Sequence, residues 1–261
     1  MKPTVPTKVI VRQPCAALRP FVKRLLVVEF PVETYDYHLP DTGFVAAFRI
    51  SGECSLDNGV QAPSAALTGL WDTIRSHRHS AGNMNVLASF TPLGAAAFLC
   101  TPLNEFFNRT TEFADIPGTP KEFQFLPERL SEAKDHSERL SCLESELLGL
   151  GFGLTFDPIM AEAVSRIEGT RGIVRIPAIA QQIGLSQSAL ERRFKLRIGT
   201  TPKKFASLVR LQNVLRLRSA GNDFSRIAHA AGYADQSHLI KDFRRITDQA
   251  PEAFFRGQHI G

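Results

Sequence analysis

Two sets of polar side chains, each spaced to share one face of a helix, are the residues best suited to chemistry in this chain. The first comprises Gln187, Ser188, Glu191, Arg192 and Lys195, and the second Gln236, Ser237, Lys241 and Arg244. Amides, hydroxyls, guanidinium and ammonium groups arranged this way offer hydrogen bonds to an outside surface. The sequence holds no Walker loop, no GxSxG elbow and no HExxH helix. Recognition rather than bond-making is therefore the chemistry to explain, and no catalytic residue, enzymatic activity or cofactor is expected.

The elements that position these faces are duplicated. FKLRIGTTPKKF, starting at Phe194, reappears as FRRITDQAPEAF, starting at Phe243. Leu190, Phe194, Pro202 and Phe205 each precede Leu239, Phe243, Pro251 and Phe254 by 49 residues, whereas Ala180 and Gly184 precede Ala228 and Gly232 by 48. Each copy reads as a short helix, over 177–183 or 224–231, stopped by a Gly suited to a left-handed C-terminal cap. A second helix then starts from Ser186 or Asp235, both good N-caps. Leu190 with Phe194, and Leu239 with Phe243, lie four apart and share an inward face opposite the polar one. Between the copies, Thr201 caps and Pro202 opens a helix running through Phe205, Leu208, Leu211 and Leu215 to Ser219, where Gly221 and Asn222 break it.

A paired helical hairpin of this kind can place its second helix in the roughly 12 Å major groove of B-DNA and read base edges through its first turns. Charge supports that reading. Residues 171–261 carry 16 Lys and Arg against 6 Asp and Glu, a net of +10, while residues 1–170 carry 15 against 20, a net of −5. The whole-chain value of +5 thus hides a basic end that fits phosphate contacts and counterion release. The connecting helix, roughly 27 Å long at 1.5 Å per residue, could hold two recognition helices about one DNA turn apart, on successive major grooves.

Taken together, residues 171–256 resemble the DNA-binding module of AraC/XylS-family transcription regulators. The most diagnostic positions are Arg210, Ile227, Ala228, Gly232, Tyr233, Leu239, Phe243 and Pro251, in the family's order and spacing. The resemblance implies base contacts from Ser188, Glu191 and Arg192 in the first recognition helix, and from Gln236, Ser237, His238 and Lys241 in the second. Arg192 suits a bidentate guanine contact, worth about 1–3 kcal/mol of discrimination, or otherwise a phosphate clamp. Glu191 could accept from a cytosine amino group or pair with Lys195 four residues on. Ser188 is small where many members carry a larger side chain, and His238 fits a neutral hydrogen-bonding role better than a pH sensor. Promoter DNA and RNA polymerase are the macromolecular partners the resemblance implies.

With 261 residues there is room for a second core. The first 115 or so read as mostly strand: 25–30, 44–50, 65–70 and 84–90, separated by Gly, Pro, Asp and Asn. Short helices are expected over 93–100 and 103–108. A polar helical stretch follows over 120–149, with Leu126, Leu130, Leu140, Leu143, Leu147 and Leu148 as apolar stripes, and a further helix over 158–167. LPDTGFVAAFRISG, starting at Leu39, and the stretch 67–118 resemble a poorly characterised sensor domain often placed ahead of AraC-type modules. Thr42 departs from that pattern, in which a Gly commonly follows the Asp, and shifts the expected tight turn to Gly43. The resemblance implies a small-molecule effector or a dimerisation role for this domain.

Other front-half features are weighed against blander readings. His77 and His79 are two apart, so on a strand they point to one face, and with His38 they could form a cupin-like metal site. Histidines in polar loops rich in Arg and Ser arise by accident, so no metal ligand is assigned. Trp71 could line an effector pocket or fill the core. Of the adjacent Phe106 and Phe107, one should pack inward and the other meet the linker. The leucine stripe could form a homodimer surface but more often packs on its own domain. Cys15, Cys54, Cys100 and Cys142 lack any metal-ligand spacing. With no apolar signal-peptide core and no run of about 18 apolar residues, a cytoplasmic location with reduced thiols and no membrane partner is expected.

The expected architecture is α+β: a mostly-β, barrel-like effector-sensing domain over 1–118, a helical linker or dimerisation region over 119–170, and an all-α DNA-binding domain over 171–261. The expected function is an effector-responsive, sequence-specific transcription regulator. Two alternatives are a regulator whose front domain is a metal-dependent enzyme and an architectural DNA-binding protein of low sequence choice.

Overall fold

The computed structural model describes residues 7–150 and 157–257. Its front half is a β domain of two antiparallel sheets. The larger contains β1 (Lys8–Arg12), β2 (Val22–Phe30), β4 (Val45–Ser51), β6 (Ala65–Thr68), β8 (Asn83–Phe90) and β9 (Thr110–Glu112), in the order β1-β2-β8-β4-β6-β9. The smaller contains β3 (Thr34–His38), β5 (Cys54–Leu56) and β7 (Arg75–His79), with β7 in the middle. The four expected strands are the apolar ones, whose alternation buries Phe44, Ala46 and Phe48 along one face. β3 and β7 went unforeseen as strands because TYDYH and RSHRH carry no apolar alternation. Of the two readings of RSHRHS, strand and polar loop, the structure takes the first: backbone pairing with β3 and β5 on either side makes 75–79 a half-buried central strand.

Gly43 is required for close approach rather than for a left-handed turn. A Cβ there would lie 2.1 Å from the Phe90 carbonyl oxygen, so any side chain would push β8 away. Thr42 beside it is buried, and its backbone N–H donates to Asp41 Oδ1.

Helices α1 (Ala95–Phe98), α2 (Leu126–Glu132) and α3 (His136–Leu150) follow, with a 3₁₀ turn at Leu103–Phe106. Leu126, Leu130, Leu140, Leu143 and Leu147 are all buried in this chain's own core, α2 against β4 and α3 against β2 and β8, and Leu148 alone of the stripe is exposed. Phe106 packs inward as expected. Phe107 meets the C-terminal helical region rather than the linker, with Lys204 Nζ 4.4 Å from its ring centre.

The remainder is all-helical: α4 (Pro158–Gly169), α5 (Ile176–Gln182), α6 (Gln187–Ile198), α7 (Pro202–Ser219), α8 (Phe224–Ala230), α9 (Gln236–Thr247) and α10 (Pro251–Gly257). One apolar core runs without a break from the β domain through α2 to α6 and into α7 as far as Val209. A second core surrounds α8 to α10, takes in Leu211 and Val214 of the same α7, and is touched by Leu39 and Ile74 of the β domain. No helix among the described residues is long and apolar enough to cross a membrane.

Candidate DNA-binding interface

The two helix-turn-helix units repeat one another down to single contacts. Ser186 Oγ accepts from the Ala189 N–H at the start of α6, and Asp235 Oδ1 accepts from the His238 N–H at the start of α9. These caps satisfy backbone donors that would otherwise be orphaned where the helix meets solvent. In the turns, Gly184 and Gly232 take positive φ values of 73° and 70°. Phe194 meets Phe205 edge to face at 5.5 Å, and Phe243 meets Phe254 the same way at 5.3 Å. Pro202 and Pro251 open the following helices, each buried. Duplication in sequence is therefore duplication of a packed unit, with the inward aromatic pair fixing how each recognition helix stands on its support.

Outward from those cores, Gln187, Ser188, Arg192 and Lys195 are exposed on α6, and Gln236, Ser237, His238, Lys241 and Arg244 are exposed on α9. Glu191 is half-buried and accepts a hydrogen bond from Gln187 Nε2 at 2.9 Å, so its partner is Gln187 and not Lys195. Ser188 Oγ lies 3.2 Å from the capping Ser186 Oγ. The His238 ring stands edge-on to Tyr233 at 5.3 Å. Among the described residues Arg192, Lys195, Lys241 and Arg244 join no ion pair, in contrast to Arg193, whose guanidinium grips Asp157 through both nitrogens at 2.6 and 2.8 Å. The four unpaired cations stand on the same faces as the amides and hydroxyls, which is the arrangement an anionic, hydrogen-bonding surface requires.

A groove of about 450 Å³ separates the units, lined by Gln187 and Glu191 of α6, Lys203 and Arg210 of α7, and His238 and Asp242 of α9. Behind it, Arg210 donates to the Gly172 carbonyl and lies 5.3 Å over the Tyr233 ring, whose hydroxyl donates to Asp242. Burial and the adjacent Asp242 raise the Tyr233 phenol well above its ordinary range, so it stays a donor. Sequence periodicity could find the outward faces; this strut across α7 joins residues far apart in the chain and left no periodic trace.

The module rests on the β domain at several points. α6 packs on the 3₁₀ turn at Leu103–Phe106, and Gly199, the left-handed C-cap of α6, lies against Phe44. Lys204 Nζ pairs with Asp72 at 2.8 Å, Gln212 donates to Asp41, and the Ile74 N–H donates to the Ile246 carbonyl of α9 at 2.8 Å. Trp71 is half-buried beside this contact, with the Arg75 guanidinium 4.9 Å over its ring. An apolar cavity under β8 and α1, lined by Leu67, Phe90, Phe98 and Phe113 among others, measures about 10 Å³, room for one water.

The structure also brings together three histidines that sequence spacing could not join. The ligand atoms of His38, His77 and His79 lie within 4.8 Å of one another on one face of the small sheet. Burial holds His38 and His77 down to about 3, with Arg75 adding to the effect on each, and burial lowers His79 as well.

Residues 179–257 match a family described as a helix-turn-helix domain. Over 76 residues the chain is 33% identical to the HTH-type transcriptional activator RhaS of Pectobacterium atrosepticum, covering 29% of this chain and 27% of that protein. Over 99 residues it is 29% identical to an AraC-like transcription regulator of Streptomyces lividans, covering 36% of this chain and 32% of that one. The matched segment thus spans about a third or less of the length of these curated relatives. Among solved structures, ToxT from Vibrio cholerae aligns over 90% of this chain and 98% of its own, at 13% identity and a TM-score of 0.48. Residues 179–257 thus carry a helix-turn-helix domain, and over that span the chain is similar to transcription regulators described as RhaS activators and as AraC-like.

Proposed function

We propose that the chain is a sequence-specific regulator that lays α6 and α9 into successive major grooves of promoter DNA. The observation that carries this reading is the pair of N-capped helices with exposed amide, hydroxyl and unpaired cationic side chains, joined by one helix that enters both cores. In this reading Arg192 and Lys241 contact bases, with Gln187, Ser188, Gln236, Ser237 and His238 beside them, while Lys195 and Arg244 clamp phosphates. Glu191, held by Gln187, orients that amide and limits the approach of the backbone phosphates. The division of labour follows the chain: residues 1–118 hold the module and answer an effector, 119–170 connect, and 171–261 bind DNA. An effector acts by differing in affinity between the docked arrangement and one in which the module is freer.

Selection of the full-length protein against a random duplex library at near-physiological salt tests the proposal, with Arg192→Ala and Lys241→Ala run in parallel. The expected result is a site with two short elements about one helical turn apart, each degraded by one variant. Lys195→Ala should weaken cognate and random DNA alike and reduce the salt slope by about 0.9. Equal losses on both DNAs for Arg192→Ala and Lys241→Ala would remove the base-reading assignment, and failure to enrich any sequence would point to architectural binding.

A further inference from the structure

We propose that His38, His77 and His79 form a binding site for a first-row divalent transition metal such as zinc, using three imidazole ligands and leaving a coordination position open. His77 and His79 alternate along β7 and so project from the same face, and His38 at the end of β3 reaches them from the neighbouring strand, where it pairs with Arg75. Their ring centres lie 4.6 Å apart for His38 and His77 and 6.0 Å for His77 and His79. The ligand atoms, within 4.8 Å of one another, need to close to about 3.3 Å, the separation set by tetrahedral bonds of about 2.0–2.1 Å.

The hydrogen bonds around His79 fix which nitrogen faces the site. Asn83 Nδ2 donates to the Ser51 carbonyl and Asn83 Oδ1 accepts from Asn85 Nδ2, which orients the Asn83 amide. Its Oδ1 therefore accepts from His79 Nδ1, 3.0 Å away, and the proton belongs on Nδ1. His79 Nε2 is left with a lone pair, buried and without a hydrogen-bond partner. The stacked Phe30 ring, 3.7 Å from His79 and nearly parallel to it, holds the imidazole plane. This is the outer-shell pattern of a ligating histidine, in which a second group accepts from the far nitrogen and sets the tautomer. His38 Nε2 is likewise buried and makes no hydrogen bond. The unpartnered His79 Nε2 costs free energy in the empty state that a metal ion would recover.

Charge and access also fit. Asp36 stands opposite His77 in the strand register, with Oδ2 3.4 Å from His38 Nε2, and its charge acts on His77 against that of Arg75. The His38 and Asp36 side chains are 37% and 40% exposed, so the cluster lies at the edge of solvent although its ring nitrogens are buried. Three neutral imidazoles suit zinc, cobalt, nickel or copper rather than calcium or magnesium, which take oxygen ligands. Ile74, immediately before β7, is the residue that donates to Ile246 of α9, so the bound ion would brace the wall on which the second helix-turn-helix unit rests.

The test is titration of chelator-stripped, full-length protein with Co²⁺, read by visible absorption and by competition with Zn²⁺. The expected result is a saturable change at one equivalent per chain, with an upward shift in thermal midpoint on zinc addition. His38→Asn and His77→Asn, checked for folding by circular dichroism, should each lower metal affinity by more than about 100-fold, beyond the 10- to 100-fold typical of outer-shell losses. His229→Asn, an exposed histidine of the DNA module, should bind as the wild type does. A wild-type chain with no one-to-one transition overturns the proposal whatever the variants do. Unchanged affinity in folded His38→Asn and His77→Asn overturns it equally.

Discussion

Gly199 is where the docking of the DNA module on the β domain can be weighed against backbone strain. It occupies the left-handed C-cap of α6 at φ 93°. The equivalent residue of the second unit, 49 positions on, is Asp248, also left-handed at φ 57° but exposed to solvent. A side chain is therefore tolerated by that backbone where nothing packs on it. At Gly199 an added Cβ would lie 2.8 Å from Phe44 Cζ and 3.1 Å from the Leu103 carbonyl oxygen. Left-handed strain costs about 1–2 kcal/mol, and overpacking against a fully buried ring adds about 1–3 kcal/mol. Gly199→Ala should thus destabilise by about 2–5 kcal/mol, or about 4–10 °C in thermal midpoint at this chain length. Gly184→Ala is the matched control, since its φ is 73° with nothing within 4 Å of the added Cβ; it should cost only about 1–2 kcal/mol. Thermal and urea unfolding of the two variants side by side measure the difference. An equal cost would refute the inference that Phe44 and α6 are pressed together.

Arg193→Ala removes the two-pronged contact to Asp157, the residue that also caps α4. It should lower stability by about 1–2 kcal/mol, discounted for the 41% exposure of Arg193, while leaving the ratio of cognate to random DNA affinity unchanged; a changed ratio in a binding assay would make Arg193 a reader. Leu211→Pro, in the interior of α7, should cost at least about 3 kcal/mol and abolish recognition of the two-element site, so wild-type affinity would contradict a rigid connector. Acid should weaken the metal-free protein through the histidine cluster. His38 and His77 protonate near 3 when folded but near 6.5 when unfolded, so the unfolded chain binds more protons in between. Stability present above pH 6.5 is then lost as the pH falls toward 3, and urea midpoints should fall over that window less steeply in His38→Asn/His77→Asn.

The C-terminal half was legible because its physics is local. Caps, turn glycines and four-residue apolar spacing are read within a dozen residues, and the bounds of α7, its Thr201 cap and its opening proline all appear where the sequence placed them. Duplication then supplied a second reading of the same unit. In the front half only the apolar strands announced themselves. TYDYH and RSHRH became strands through pairing partners distant in sequence, which no short window contains. The histidine cluster was half visible for the same reason. Alternation put His77 beside His79, but the β3–β7 register alone brings His38 to them.

The way the cores divide bears on how the halves communicate. The first core joins the β domain to the first helix-turn-helix unit, and the second holds the other unit with Leu39 and Ile74 of the β domain against it. The boundary between them falls within α7, between Val209 and Leu211, so the domain break and the core break do not coincide. A shift in the β domain near Phe44 moves the seat of α6, and a shift at the start of β7 moves the support of α9. Because packed cores are dense and transmit small displacements, the distance between the two recognition helices depends on both seats as well as on the connector. In the proposed reading, two short DNA elements read by one chain would be sensitive to that spacing, so the β domain would act on affinity without a contact to DNA of its own.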